Sequence, residues 1–194
     1  MEEMTQDEVL DAFRSAGAVL RGHFRLTSGR HSDTYLQCAR VLEDPGLTTR
    51  FARAIAGRVM DKDIDLVASP AIGGIIIGFA VAQALGVKFI FSERQEGCMT
   101  FRRSFHVPSG ARVLVVEDVV TTGGSVAEVV GLVRDAGAVP VAVAALVDRG
   151  GAKAFDVPLE ALLALEVESW EPGSCGLCAA GEGLDSPGSR RLSL

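Results

Sequence analysis

Apolar positions along this chain fall into two kinds of run, and their spacing predicts the elements. Val113, Leu114, Val115 and Val116 are consecutive and mostly β-branched. A strand covered on both faces has no reason to alternate with polar residues, so this run predicts a buried strand of a parallel sheet. Residues 64–68, 87–91 and 139–147 predict strands as well, and 159–165 with Val167 returns the chain to the sheet. Apolar residues at helical spacing predict helices over 47–60, 75–85 and 125–134. Residues 5–16 predict an N-terminal helix, with Thr5 and Glu8 forming a capping box and Gly17 as the stop. Short strands around 24–26 and 34–36 flank a polar turn, which is hairpin grammar. Strands alternating with helices predict an α/β fold.

Composition narrows the class. At 194 residues with 48% hydrophobic content the chain suits one domain with a substantial core, spanning 1–194. A net charge of −6 gives no general reason to bind nucleic acid or an anionic membrane. The opening MEEMTQDEVLDAF is acidic and amphipathic, unlike a signal peptide, and no apolar run reaches the length of a membrane span. The cytoplasm is the expected compartment.

Candidate chemistry begins where the central strand ends. Glu117 and Asp118 are followed by Val119 and Val120, and then by Thr121, Thr122, Gly123, Gly124 and Ser125 ahead of a helix. A glycine-containing loop at a helix N-terminus offers backbone N–H groups and a positive dipole to a phosphate. Paired carboxylates beside it would repel a bare polyphosphate but suit hydroxyl groups, so a phosphorylated sugar satisfies both. The pattern has neither the lysine of the P-loop nor G-x-G-x-x-G. A second loop, 69–75, carries Ala71, Ile72, Gly73 and Gly74 at another strand-to-helix turn and invites an anion in the same way. Three arginines, Arg94, Arg102 and Arg103, lie in a polar segment about Gly97, as a mobile loop or loose hairpin closing over an anion would require. Arg149 follows the strand at 139–147 and is placed to meet a ligand carboxylate. Cys175 and Cys178 form one C-x-x-C, while Cys38 and Cys98 lie in unrelated segments. The cysteines of one subunit therefore assign no four-ligand metal set, and ligands shared between subunits stay open.

The stretch 113–125 resembles the phosphoribosyl-pyrophosphate (PRPP) motif of the type I phosphoribosyltransferases. The order F-x-L-x-S-G-x-x-S-x-x-Y from Phe24 to Tyr35, the E-R-x-x-G-x-M-x-x-R-R-x-F segment and the terminal C-x-L-C are similar to the compact bacterial and archaeal branch of the orotate phosphoribosyltransferases. The resemblance implies a mainly parallel central sheet flanked by helices, with a small N-terminal hood contributed mainly by 18–40. It implies conversion of orotate and PRPP to orotidine 5′-phosphate and pyrophosphate, with Mg²⁺ held by PRPP and water, in de novo UMP biosynthesis. It assigns the ribose and 5′-phosphate to Glu117, Asp118 and residues 121–125, and the pyrophosphate to Ala71, Ile72, Gly73 and Arg94. Orotate falls to Thr121, Arg149, Ser28 and Gly29. Glu117, Asp118 and Arg94 are the implied catalytic residues, with the flexible loop, about 93–105, shared across a homodimer. The chain departs from the branch at Thr27, Gly73 and Cys98, where basic residues are common, and at Asp185-Ser186 before Pro187. Another transferase acting on a different base, or a non-catalytic sensor of PRPP or a nucleotide, would also keep the 113–125 motif.

Overall fold

The computed structural model describes residues 3–26 and 28–187. Thr27 and the frayed end expected over 189–194 lie outside the described residues. Helix α1 (Gln6–Ser15) starts in the capping box: the Thr5 amide donates to Glu8 Oε2 at 2.8 Å and the Glu8 amide to Thr5 Oγ1 at 3.2 Å. Strands β1 (Val19–Arg25) and β2 (His31–Leu36) pair antiparallel as a separate hairpin, longer than sequence spacing indicates. After the short α2 (Ala39–Leu42), α3 spans Pro45–Arg58, two residues earlier than expected at its start. The signal was present: Asp44 Oδ1 accepts from the Gly46 and Leu47 amides at 2.8 and 3.1 Å, and Pro45 occupies the first turn.

The remainder alternates: β3 (Leu66–Pro70), α4 (Gly74–Leu85), β4 (Lys88–Gln95), β5 (Cys98–Phe101), β6 (Arg112–Val120), α5 (Gly124–Asp135), β7 (Val139–Asp148), β8 (Leu159–Ala164) and α6 (Gly176–Ala179). Six strands form one sheet in the order β5-β4-β3-β6-β7-β8, parallel except for the β4–β5 pair. The apolar run in β6 divides between two cores. Leu114 and Val116 join Phe13, Ile55 and Ile77 on the face covered by α1, α3 and α4, whereas Val113 and Val115 join Val126, Val129 and Val133 of α5. Each side chain of the run is at zero exposure, as burial on both faces demands. Among the described residues, no helix is long and apolar enough to cross a membrane.

Two departures from the sequence expectation bear on the site. Strand β6 does not stop before its acids but runs through Glu117 and Asp118 to Val120, paired with β7 as far as Val120↔Asp148. The segment at 93–105 is largely ordered as the β4–β5 hairpin, whose turn at Glu96 (φ 51°) and Gly97 (φ 88°) has the left-handed backbone that matches strand twist.

The chain leaves β3 toward β4 and leaves β6 toward β7, so the sheet reverses direction between β3 and β6. Pairing of β3 with β6 ends at Ala68↔Val115, although β3 stays on β4 to Pro70↔Ser92. The two central strands thus part at their carboxyl ends. Pro70, with no N–H to give, is tolerated where β6 no longer asks for one. A crevice at such a reversal point is where open α/β sheets bind ligands.

Candidate active site

Glu117 and Asp118 stand on the β6 side of this crevice. Glu117 is buried at 9% exposure, and its Oε1 accepts from the Asp118 amide at 3.1 Å. Asp118 is half-buried, with Oδ1 accepting from the Val119 amide at 2.8 Å. Burial pushes the Asp118 carboxyl above its ordinary value, opposed by hydrogen bonding from Glu117 and the Val119 amide.

The loop from β3 closes on the acids from the other side. A Cβ placed on Gly73 would lie 2.6 Å from Asp118 Oδ1, and one on Gly74 would lie 2.8 Å from the Val116 carbonyl oxygen. Any larger residue would press on the carboxylate or the strand, so the start of α4 reaches β6 only because both positions lack side chains. Ala71 is anchored by its amide to the Ser92 carbonyl at 2.8 Å, and the Ala71–Ile72 peptide is cis. Gly73 and Gly74 thus meet β6 at the acids, with Ala71 and Ile72 leading into them from β3.

Thr121, Thr122 and Gly123 form the turn into α5, where Gly123 (φ 75°) is left-handed and no side chain caps the helix. The amides of the first turn of α5, from Gly124 and Ser125 onward, are thus presented at the loop. The turn after β7 locks against this one. A Cβ on Gly123 would come within 2.4 Å of the Gly151 carbonyl oxygen, and one on Gly151 within 2.6 Å of the Thr121 carbonyl oxygen. Asp148 Oδ1 accepts from the Gly150 and Gly151 amides at 2.8 and 3.2 Å, and the Arg149 amide donates to the Val120 carbonyl at 2.8 Å. Asp148 thereby shapes the turn that carries Arg149 beside the glycine loop.

Tyr35 of β2 completes the group and was not singled out from the sequence. Burial pushes its phenol up, the Asp118 carboxylate and Cys38 add to the shift, and Arg149 opposes it. Burial lowers the half-buried Arg149 guanidinium, with Tyr35 opposing. Tyr35 thus lies within electrostatic reach of both Asp118 and Arg149. Position 35 was visible in the sequence only as the end of the hood motif. Ser28 and Gly29 lie at the other end of β2, in a tip held by Gly29 N to Leu26 O at 2.9 Å and Leu26 N to Arg30 O at 2.8 Å.

The arginine hairpin is engaged elsewhere in this chain. Arg94 makes a two-pronged pair with Glu128 of α5, at 2.7 and 3.2 Å, and also donates to the Gly97 carbonyl. Arg103 pairs with Glu93 through two bonds of 2.9 Å and lies 5.5 Å above the Phe91 ring, while Arg102 is exposed. A separate concavity of about 450 Å³ opens at the opposite edge of the sheet, lined in part by Ala56, Met60, Ile64 and Leu85. Neither the carboxylates nor the 121–125 loop lines it.

The chain is similar to known proteins in both sequence and fold. The phosphoribosyl transferase domain family matches residues 39–160. The orotate phosphoribosyltransferase of Heliobacterium modesticaldum is 52% identical over 191 residues, covering 96% of this chain and 100% of that protein. That of Chlorobium phaeobacteroides strain BS1 is 50% identical over 191 residues, with coverage of 98% and 99%. Among solved structures, orotate phosphoribosyltransferase from Aeropyrum pernix is similar with a TM-score of 0.70 at 28% identity, covering 81% of this chain and 93% of that one. The Mycobacterium tuberculosis H37Rv orotate phosphoribosyltransferase in complex with inorganic phosphate gives 0.65 at 27% identity, with coverage of 82% and 95%. With its acids, glycine loop and Arg149 turn gathered at one sheet reversal, the chain belongs to the phosphoribosyltransferase family and, within it, to the orotate phosphoribosyltransferases.

Proposed function

We propose that the crevice between β3 and β6 transfers the phosphoribosyl group of PRPP to orotate, releasing pyrophosphate and orotidine 5′-phosphate in cytoplasmic de novo pyrimidine synthesis. The observation that carries this reading is the interlock of Gly123 with Gly151, which sets a phosphate-accepting helix start beside the paired carboxylates and Arg149. In this reading residues 121–125 hold the 5′-phosphate, and Glu117 and Asp118 hold the ribose hydroxyls. Backbone at Ala71, Ile72 and Gly73 meets the pyrophosphate, and Arg149 meets the orotate carboxylate, with Thr121 and the hood tip at Ser28 and Gly29 closing on the base.

The mechanism is electrostatic. A ring nitrogen of orotate attacks the anomeric carbon as pyrophosphate departs from the opposite face, and the sugar acquires cationic character. Two carboxylates are rightly signed to stabilise that charge, directly or through the hydroxyls they hold. Positioning the two reactants supplies about 7–11 kcal/mol of barrier lowering, so no covalent nucleophile is needed. Among the described residues, the edge offers no cage of three or more metal-binding side chains. In this reading Mg²⁺ would arrive on the phosphates of PRPP and keep its waters, and Asp118, beside Gly73, would be a carboxylate available to those waters. When bound, the ion neutralises charge on the leaving group.

A homodimer is supported by an exposed apolar stripe beside the pyrophosphate loop: Ile72 is 76% exposed, Ile76 51% and Phe79 59%. In the proposed assembly Arg94 serves the neighbouring subunit. The Arg94–Glu128 pair is more than one-third exposed on both sides, so releasing it costs on the order of 0–1 kcal/mol. Mixing an Arg94→Ala protein with an Asp118→Asn protein tests this, since hybrid dimers should recover activity that neither variant has. No recovery despite verified subunit exchange would assign the hairpin to its own chain. Base choice is tested by supplying PRPP with orotate, uracil or adenine: turnover confined to orotate is expected, and turnover of another base would reassign Arg149.

A further inference from the structure

The hood carries a second constellation that the transferase reaction does not use. His23 of β1 and His31 of β2 are both 4% exposed, and Cys175 and Cys178, at the start of α6, lie against them. The four candidate ligand atoms all lie within 4.8 Å of one another. His23 Nε2 is 3.5 Å from Cys175 Sγ, 3.6 Å from Cys178 Sγ and 3.0 Å from His31 Nδ1, and the last of these is 3.2 Å from Cys178 Sγ. Around a tetrahedral ion with bonds of about 2.3 Å to sulfur and 2.0–2.1 Å to nitrogen, ligand atoms stand roughly 3.3–3.8 Å apart. The four groups need only small adjustments to surround one centre.

The tautomer points the same way. His23 Nδ1 lies 3.0 Å from the Glu182 carbonyl oxygen, which can only accept, so this nitrogen carries the proton and Nε2 presents its lone pair inward. Three neighbours converge on that single lone pair, more than hydrogen bonding can serve. A divalent ion resolves the excess, taking the lone pairs of both imidazoles and both sulfurs. Two thiol protons leave on binding, and the dication with two thiolates and two neutral imidazoles makes a shell of zero net charge, suited to burial.

The backbone brings the ligands together before any ion arrives. A bulge between Arg21 and Phe24 breaks the strand alternation, so that His23 and Phe24 are both buried. The C-terminal segment pairs with both hairpin strands: His31 and Trp170 exchange two bonds of 2.8 Å, and Asp185 bonds His23 and Arg25 at 2.9 and 2.8 Å. Cys178 is exposed and provides the path by which an ion reaches the site.

We propose that His23, His31, Cys175 and Cys178 form a structural zinc site that clamps the hood hairpin to the C-terminal segment. The test uses untagged full-length protein, produced with zinc and purified under thiol reductant without chelator, followed by elemental analysis. About one zinc per chain is expected. Cys98→Ser should keep that zinc, whereas the double variant Cys175→Ser/Cys178→Ser should lose it. A chain that takes up no zinc from a stoichiometric solution, a metal other than zinc in its place, or full retention by the double variant would overturn the proposal. Should the double variant fail to fold, chelator-stripped native protein titrated with Co²⁺ decides. Visible absorption of a tetrahedral, thiolate-bound cobalt ion saturating at one per chain is expected, and its absence counts against the site.

Discussion

The carboxyl-edge crevice and the histidine–cysteine cluster beneath the hood are built in opposite ways. The crevice takes its acids and glycine loop from one continuous stretch, 117–125, and sets them at a strand end where the backbone amides of a helix start are presented. The cluster takes two histidines from β1 and β2 and two cysteines from the start of α6, more than 140 residues further along the chain, and is held by strand pairing on both sides of the hairpin. In the first, carboxylates and backbone amides stand at the edge of a crevice, and in the second the polar groups are turned toward one another. The first is therefore the place where substitution should remove turnover and spare the fold. The second is where it should loosen the fold and leave the chemistry.

The largest separation of the two is expected at Asp118. Asp118→Asn should lower kcat by about 10²–10³-fold, the size of an effect on developing charge in a dry site, and should leave zinc content untouched. Its stability should change in the favourable direction. Burial raises the carboxyl above its ordinary value of 3.8, so the native protein keeps the benefit of a neutral Asp118 at low pH and loses it as pH rises through the raised value. Thermal unfolding should thus show the variant gaining on the native protein as pH climbs from about 4 to neutrality. A loss of stability together with activity would make Asp118 a structural residue.

Arg149→Ala comes next. Loss of a charge-assisted contact predicts a rise of about 10–100-fold in KM for orotate, with KM for PRPP little changed. Equal weakening of both substrates would take Arg149 away from the base. The smallest effect is expected at Tyr35→Phe, which removes one hydroxyl and should raise KM for orotate by about 2–10-fold. A change confined to melting temperature would place Tyr35 with the hood packing and outside the crevice.

What could be read in the sequence follows the same division. The β6–α5 motif was legible because its geometry is local: a strand, two acids and a glycine turn leave little freedom in where their groups point. The α/β alternation was legible because β6 and β7 are buried on both faces and carry unbroken apolar runs. Strand ends were less so, because pairing with β7 carries β6 past polar Glu117 and Asp118, which an apolar count would exclude. The Asp148 carboxylate caps the turn that presents Arg149, a role that only the folded turn shows. Gly73 looked like a missing basic residue, and the structure gives it a positive reason, since a side chain there would meet the Asp118 carboxylate. Tyr35 and the two hood histidines carried no local signal of this kind. Their neighbours come from distant segments, so only the folded chain shows what they face.

The most direct test of the central claim is the loss of orotate absorbance when the purified protein is mixed with orotate, PRPP and Mg²⁺, with Asp118→Asn and PRPP-free reactions alongside. Rapid loss that needs PRPP and collapses in the variant is the expected result. No loss from a protein that still binds PRPP would contradict the account and leave the crevice as a site that senses the sugar phosphate without turning it over.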